Sequence, residues 1–163
     1  MRYTSQQIAF QEIPDEISLS FLISGCPLRC EGCHSADSWN PSRGIHLDQA
    51  VLEALIAKYR SVITCVLFLG GEWQSAELIA LLRYCRQQQL KTALYTGLDD
   101  VSHALKEQLT FLKTGSWNAA LGGLKSAHTN QALTELATGR TIKFTAQGGQ
   151  HDAINRTTDS KEN

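Results

Sequence analysis

Four short runs of strand length, at residues 17–23, 62–69, 91–95 and 109–113, alternate with stretches of helical period in this chain. The first begins with alternation, Ile-Ser-Leu-Ser, and ends in a solid apolar run, which suits a strand entering a covered sheet. The second, Val-Ile-Thr-Cys-Val-Leu-Phe-Leu, is apolar almost throughout and closes on Gly70-Gly71-Glu72. Between them Leu47, Val51, Leu55 and Tyr59 recur every four residues, which predicts a helix over 47–60. Leu78, Leu81, Leu82 and Cys85 carry the buried stripe of a second helix over 75–89, and Asp99 to Gln108 reads as a third. Strands that alternate with helices require right-handed crossovers and a parallel sheet. With so few units a closed eight-unit barrel is excluded. The expected fold is therefore α/β: an open partial (β/α) barrel with a mostly parallel sheet.

At 163 residues the chain has the size of one domain, expected over 1–147, and the polar stretch 148–163 reads as a flexible tail. In a parallel sheet, ligands gather at the carboxyl ends of the strands. Three loops leave such ends: the segment after residue 23, the Gly70-Gly71-Glu72 turn, and Tyr95-Thr96-Gly97. All three are expected at one edge.

The first of these loops carries Cys26, Cys30 and Cys33 in a Cys-x3-Cys-x2-Cys spacing, three of the five cysteines of the chain. Three closely spaced thiolates can hold three irons of a 4Fe-4S cluster and leave the fourth iron open to a small molecule. Structural zinc ordinarily takes four protein ligands in paired knuckles, and no second knuckle is present. His34 adjoins Cys33 too closely to serve as a fourth ligand. Disulfides are the remaining alternative; an odd cysteine count and an N-terminus without a signal-peptide pattern weigh against them. Cys65 and Cys85 lie inside a strand run and a helical stripe, and are expected in the core.

Fifteen basic and sixteen acidic side chains give a formal charge of −1, which points to neither nucleic acid nor an anionic membrane. No apolar run has the length of a membrane span, so a cytoplasmic protein with reduced thiols is expected. The Gly70-Gly71 pair admits a ligand close to the backbone, and the Glu72 carboxylate can accept hydrogen bonds from an ammonium group.

The cysteine triplet after one strand, with Gly70-Gly71-Glu72 after the next, resembles the radical S-adenosylmethionine superfamily. Within it, the chain is most similar to the activating proteins of anaerobic ribonucleoside-triphosphate reductases. That similarity runs through Ser20-Phe-Leu-Ile-Ser-Gly-Cys26, Glu31-Gly-Cys33-His34, Trp39, Gly70-Gly71-Glu72 and Leu94-Tyr-Thr-Gly97, and more loosely through Leu121-Gly-Gly-Leu124 to Asn130-Gln131.

The resemblance implies that Cys26, Cys30 and Cys33 bind a 4Fe-4S cluster whose open iron is chelated by S-adenosyl-L-methionine. It also implies cofactor contacts from Gly32, Cys33, His34, Gly70, Gly71 and Glu72. The implied reaction cleaves S-adenosylmethionine to a 5'-deoxyadenosyl radical, which takes a hydrogen atom from a glycine of anaerobic ribonucleoside-triphosphate reductase. A flavodoxin-like protein is the implied reductant. Two rivals share part of the pattern: a radical S-adenosylmethionine synthase acting on a small metabolite of the deazapurine or pterin type, and a non-enzymatic iron-sulfur protein for electron transfer or sensing.

Overall fold

A computed structural model of the protein describes residues 1–144. The expected tail at 148–163, and the last three residues of the expected domain, lie outside the described residues.

The chain builds one eight-stranded sheet. Its strands are β1 (Arg2–Ala9), β2 (Ser18–Ile23), β3 (Ile45–His46), β4 (Cys65–Leu69), β5 (Lys91–Tyr95), β6 (Phe111–Thr114), β7 (Ala132–Glu135) and β8 (Arg140–Ile142), in the spatial order β3-β1-β2-β4-β5-β6-β7-β8. Three helices are present among the described residues besides two short 3-10 turns: α1 (Gln49–Tyr59), α2 (Ser75–Gln87) and α3 (His103–Lys106).

The parallel, helix-connected expectation holds only at the centre. β2 with β4, β4 with β5, and β5 with β6 pair in parallel, whereas β1 with β2, β1 with β3, β6 with β7, and β7 with β8 pair antiparallel. The expected mostly parallel open barrel is thus corrected to a mixed sheet in which antiparallel pairings are in the majority. The reason is chain connectivity. Segments 10–17 and 115–131 join neighbouring strands without a helix, and an antiparallel return needs no crossover.

Helix α1 starts where the Asp48 carboxylate accepts the backbone N–H of Val51 at 3.0 Å, which satisfies one of the free donors of the first turn. Its most deeply buried residues are Leu52 and Ile56, while Val51, Leu55 and Tyr59 flank them half-buried, so the stripe is rotated by one residue from the expected one. Helix α2 buries Leu78, Leu81, Leu82 and Cys85 as expected. The third helix is one short turn, not the ten residues expected from 99 to 108.

Period-2 alternation divides the sheet between two cores. Leu19, Phe21, Ile23, Val66, Phe68, Leu94 and Leu112 face α1 and α2, with Phe21 and Phe68 stacked at 5.7 Å between ring centroids. Each such side chain, removed from water, contributes about 1.5–3 kcal/mol before ordering costs are charged. The opposite face carries Cys65, Leu67, Ala93 and Phe111 over Ile13 and Leu133. Continued by two residues toward the strand ends, this second face presents Leu69, Tyr95 and Lys113, and there the functional loops meet. Among the described residues no helix is long and apolar enough to cross a membrane.

Candidate iron-sulfur centre

The cysteine loop leaves β2 through Gly25, whose N–H donates to Ser38 O at 2.6 Å and so ties the two ends of the loop together. Inside it Cys33 N–H donates to Cys30 O at 3.1 Å, and Ser35 N–H donates to Cys33 Sγ at 3.4 Å. The backbone N–H groups of Leu28 and Arg29 point at Cys26. Amide donors aimed at sulfur suit thiolate ligands, because they stabilise charge on the sulfur. Burial nevertheless pushes the Cys26 thiol above its ordinary range, an effect that Glu72 and Cys30 reinforce. A free thiolate is therefore disfavoured here until a cation compensates it.

All three cysteines are unpaired and half-buried. They line one cavity of about 220 Å3, together with Gly70, Glu72, Thr96 and Lys113. Loops after β2, β4 and β5 thus converge as expected. No three His, Cys, Asp or Glu side chains among the described residues are placed to ligate a single ion. A multi-iron cluster takes its ligands on separate irons, and the three cysteines share one cavity lining.

The second wall is the turn after β4. Gly70 adopts φ 86°, and a β-carbon there would lie 2.5 Å from Trp73 Cη2, so only glycine lets the indole pack beneath the turn. Glu72 folds back toward β5, where Thr96 Oγ1 donates to its Oε1 at 2.6 Å. Glu72 Oε2 is buried and has no partner. Burial raises the Glu72 carboxyl above its ordinary range, with the Thr96 hydroxyl and the Lys113 ammonium acting in the opposite sense. An acceptor in that state is completed by a bound cationic donor.

Lys113, at the end of β6, was not singled out by the sequence as a site residue, although the strand containing it was expected. It is buried, and its ammonium donates to Gly115 O at 2.7 Å. Burial pushes it down to about 8, while Cys30 and Glu72 favour its charged form. One cation therefore stands near Cys30 and the Glu72 carboxylate. It can offset thiolate charge and attract an anionic group of a ligand. The only sequence signal for it was a lysine ending an otherwise apolar strand.

The other expected contacts, Gly71, Gly32 and His34, adjoin residues that line the cavity without lining it themselves. Gly71 is buried, and a β-carbon there would meet Ile23 and Met1. Gly32 and His34 are exposed, and the His34 ring meets Trp117 edge-on at 4.8 Å. Cys65 and Cys85 are core residues, with burial raising both thiols to about 12. Asn118, Asn130 and Gln131 cap the loop between β6 and β7: Asn118 Oδ1 accepts Ala120 N–H at 2.9 Å, and both other amides donate to Ser116 O.

The three cysteines, the donors on them and the space they enclose fit an iron-sulfur cluster, and the orphaned Glu72 oxygen fits a cationic ligand beside it. A pyruvate formate-lyase-activating enzyme of Clostridium pasteurianum is similar in sequence, 35% identical over 79 residues. The match covers 45% of this chain and 33% of that protein, so the chain spans about a third of the relative's length. Residues 17–117, more than half of the chain, match the 4Fe-4S single cluster domain, and the chain belongs to that family.

Proposed function

We propose that the protein is a radical S-adenosylmethionine enzyme that activates a glycyl radical enzyme, with anaerobic ribonucleoside-triphosphate reductase as its protein substrate. The observation that carries this reading is the shared cavity: three free cysteines face an unpartnered buried carboxylate oxygen on the Gly70–Glu72 turn. The similarity to a pyruvate formate-lyase-activating enzyme supports an activating role.

In this reading Cys26, Cys30 and Cys33 hold the 4Fe-4S cluster. Glu72 Oε2 receives the ammonium of the methionyl group, with Thr96 holding the carboxylate in place through Oε1. Lys113 attracts the methionyl carboxylate and balances cluster charge. The backbone from Gly32 to His34, and the turn at Gly70 and Gly71, bound the rest of the cofactor. When bound, cluster and cofactor together supply one-electron cleavage of the sulfonium and hydrogen abstraction from a glycine. A flavodoxin-like reductant and a cytoplasmic setting, where thiols stay reduced, complete the proposal.

The test is 5'-deoxyadenosine formation by anaerobically reconstituted, reduced protein given S-adenosylmethionine, beside Cys30→Ala. Product from the wild type alone is expected, followed by a glycyl radical signal in the added reductase. Cleavage with a signal only when a small metabolite is supplied would favour the synthase rival. An intact reduced cluster that yields no product would sink the enzyme reading in favour of electron transfer or sensing.

A further inference from the structure

Two tryptophans on opposite sides of the cysteine loop each hold a buried indole N–H that has no partner. Trp73 follows the turn after β4, and Trp117 follows β6, so they are far apart in sequence. Both line the cysteine cavity. Each lies against the glycine that immediately precedes a cysteine. A β-carbon on Gly25, before Cys26, would sit 3.3 Å from Trp73 Nε1. A β-carbon on Gly32, before Cys33, would sit 3.5 Å from Trp117 Nε1.

A buried indole donor is costly to leave unmade, and two such donors belong to residues lining this one cavity. Indole Nε1–H donates and never accepts. The ring positions are independently determined: Trp73 packs on Gly70, and Trp117 packs on His34 and approaches Gly123. Neither N–H is free to turn toward water without loss of that packing. Each indole nitrogen lies close to a loop glycine that adjoins a candidate cluster ligand.

We infer that Trp73 and Trp117 are positioning residues whose indole N–H groups donate to sulfur atoms of the iron-sulfur cluster and raise its reduction potential. Reduction adds negative charge to the cluster, so a donor dipole aimed at sulfur stabilises the reduced state more than the oxidised one. This inference rests on the cluster part of the proposed function and not on S-adenosylmethionine cleavage.

The test is an EPR-monitored redox titration of the reconstituted full-length protein and of Trp73→Phe and Trp117→Phe. Phenylalanine keeps an aromatic ring and drops the N–H. Each variant is expected to shift the midpoint to lower potential, by up to about tenfold in the reduction equilibrium, about 59 mV for a one-electron couple. A midpoint unchanged in both variants overturns the inference, as does an upward shift, which is the sign of water admitted to the cluster. An unchanged midpoint with weakened S-adenosylmethionine binding reassigns the donors to the cofactor and also overturns it.

A second measurement needs no variant. ENDOR of the reduced wild-type cluster, in protein labelled with 15N in the tryptophan indoles, is expected to show 15N coupling. Absence of that coupling rejects the inference even where the phenylalanine variants fail to assemble a cluster. Protein that binds no iron at all would overturn the cluster reading itself, a separate outcome.

Discussion

Thr96 Oγ1 donates to Glu72 Oε1 at 2.6 Å, and this bond joins the loop after β5 to the turn after β4 at the edge of the cysteine cavity. The same hydroxyl accepts Leu98 N–H at 3.0 Å, so one side chain organises both its own turn and the neighbouring carboxylate. Glu72 is left with one oxygen held and one available. That asymmetry converts a strand-end glutamate into a directed acceptor.

Thr96→Val keeps the shape and removes both bonds. Stability is expected to fall by about 1–3 kcal/mol, because buried acceptor and donor groups lose their partner. S-adenosylmethionine affinity is expected to fall with it, and the Glu72 carboxyl to rise further, since the Thr96 bond now opposes that rise. Urea denaturation and equilibrium binding read the two effects; wild-type values in both would show that the bond positions nothing.

Lys113→Met is expected to stabilise the cluster-free protein, on the order of 1 kcal/mol, and to weaken ligand binding. The pH dependence has a definite sign. The folded chain releases the Lys113 proton near 8, whereas the ordinary lysine range lies near 10.5. Between these values the unfolded chain binds more protons, so stability from this group rises with pH across that window. Cys65 and Cys85 act oppositely above about pH 9, because their folded thiols are raised to about 12. The difference between wild type and Lys113→Met isolates the lysine, and a flat difference curve from pH 8 to 10.5 would contradict its depressed titration.

Alanine substitutions at the paired glycines should differ in severity. Both residues have positive φ, 86° at Gly70 and 109° at Gly71, so each substitution strains the backbone by about 1–3 kcal/mol. At Gly71 the new methyl meets Ile23 and Met1 at ordinary contact distances of 3.5 Å or more. At Gly70 it overlaps the Trp73 ring, which cannot move without disturbing the cavity floor. Thermal denaturation should rank Gly70→Ala below Gly71→Ala, and the reverse order would refute the placement of Trp73.

Cys65→Ala and Cys85→Ala are expected to bind as much iron as the wild type, and Cys26→Ala or Cys33→Ala much less. The two core cysteines are fully buried away from the cavity. Iron analysis and the visible absorbance of anaerobically reconstituted protein decide it. Loss of iron in either core variant, with the fold retained, would place a fourth ligand where none is expected.

The strands legible from sequence were those covered on both faces. β4 and β5 have only apolar or small residues pointing inward, and the expected span of β5 coincides with the observed one. β1 was illegible: its sequence Arg-Tyr-Thr-Ser-Gln-Gln-Ile-Ala shows little apolar rhythm, and its strand state comes from backbone pairing with β2. β7 and β8 are short, bury only Leu133 completely, and are held through β6. Local propensity carries no record of such partners. The third helix was overread because only Leu105 of its turn is deeply buried, too little apolar surface to hold ten residues helical.

The sequence by itself determined the three candidate cluster ligands, the turn that faces them and the strand ends that bring them together, because spacing, glycine punctuation and solid apolar runs are local signals. Only the tertiary structure decided the orientation of the sheet edges and the partners of Glu72. It alone brought Lys113 and Trp117 to the cavity. Those facts depend on which face of a strand a side chain leaves from, and on residues distant in sequence that meet only when the sheet is assembled.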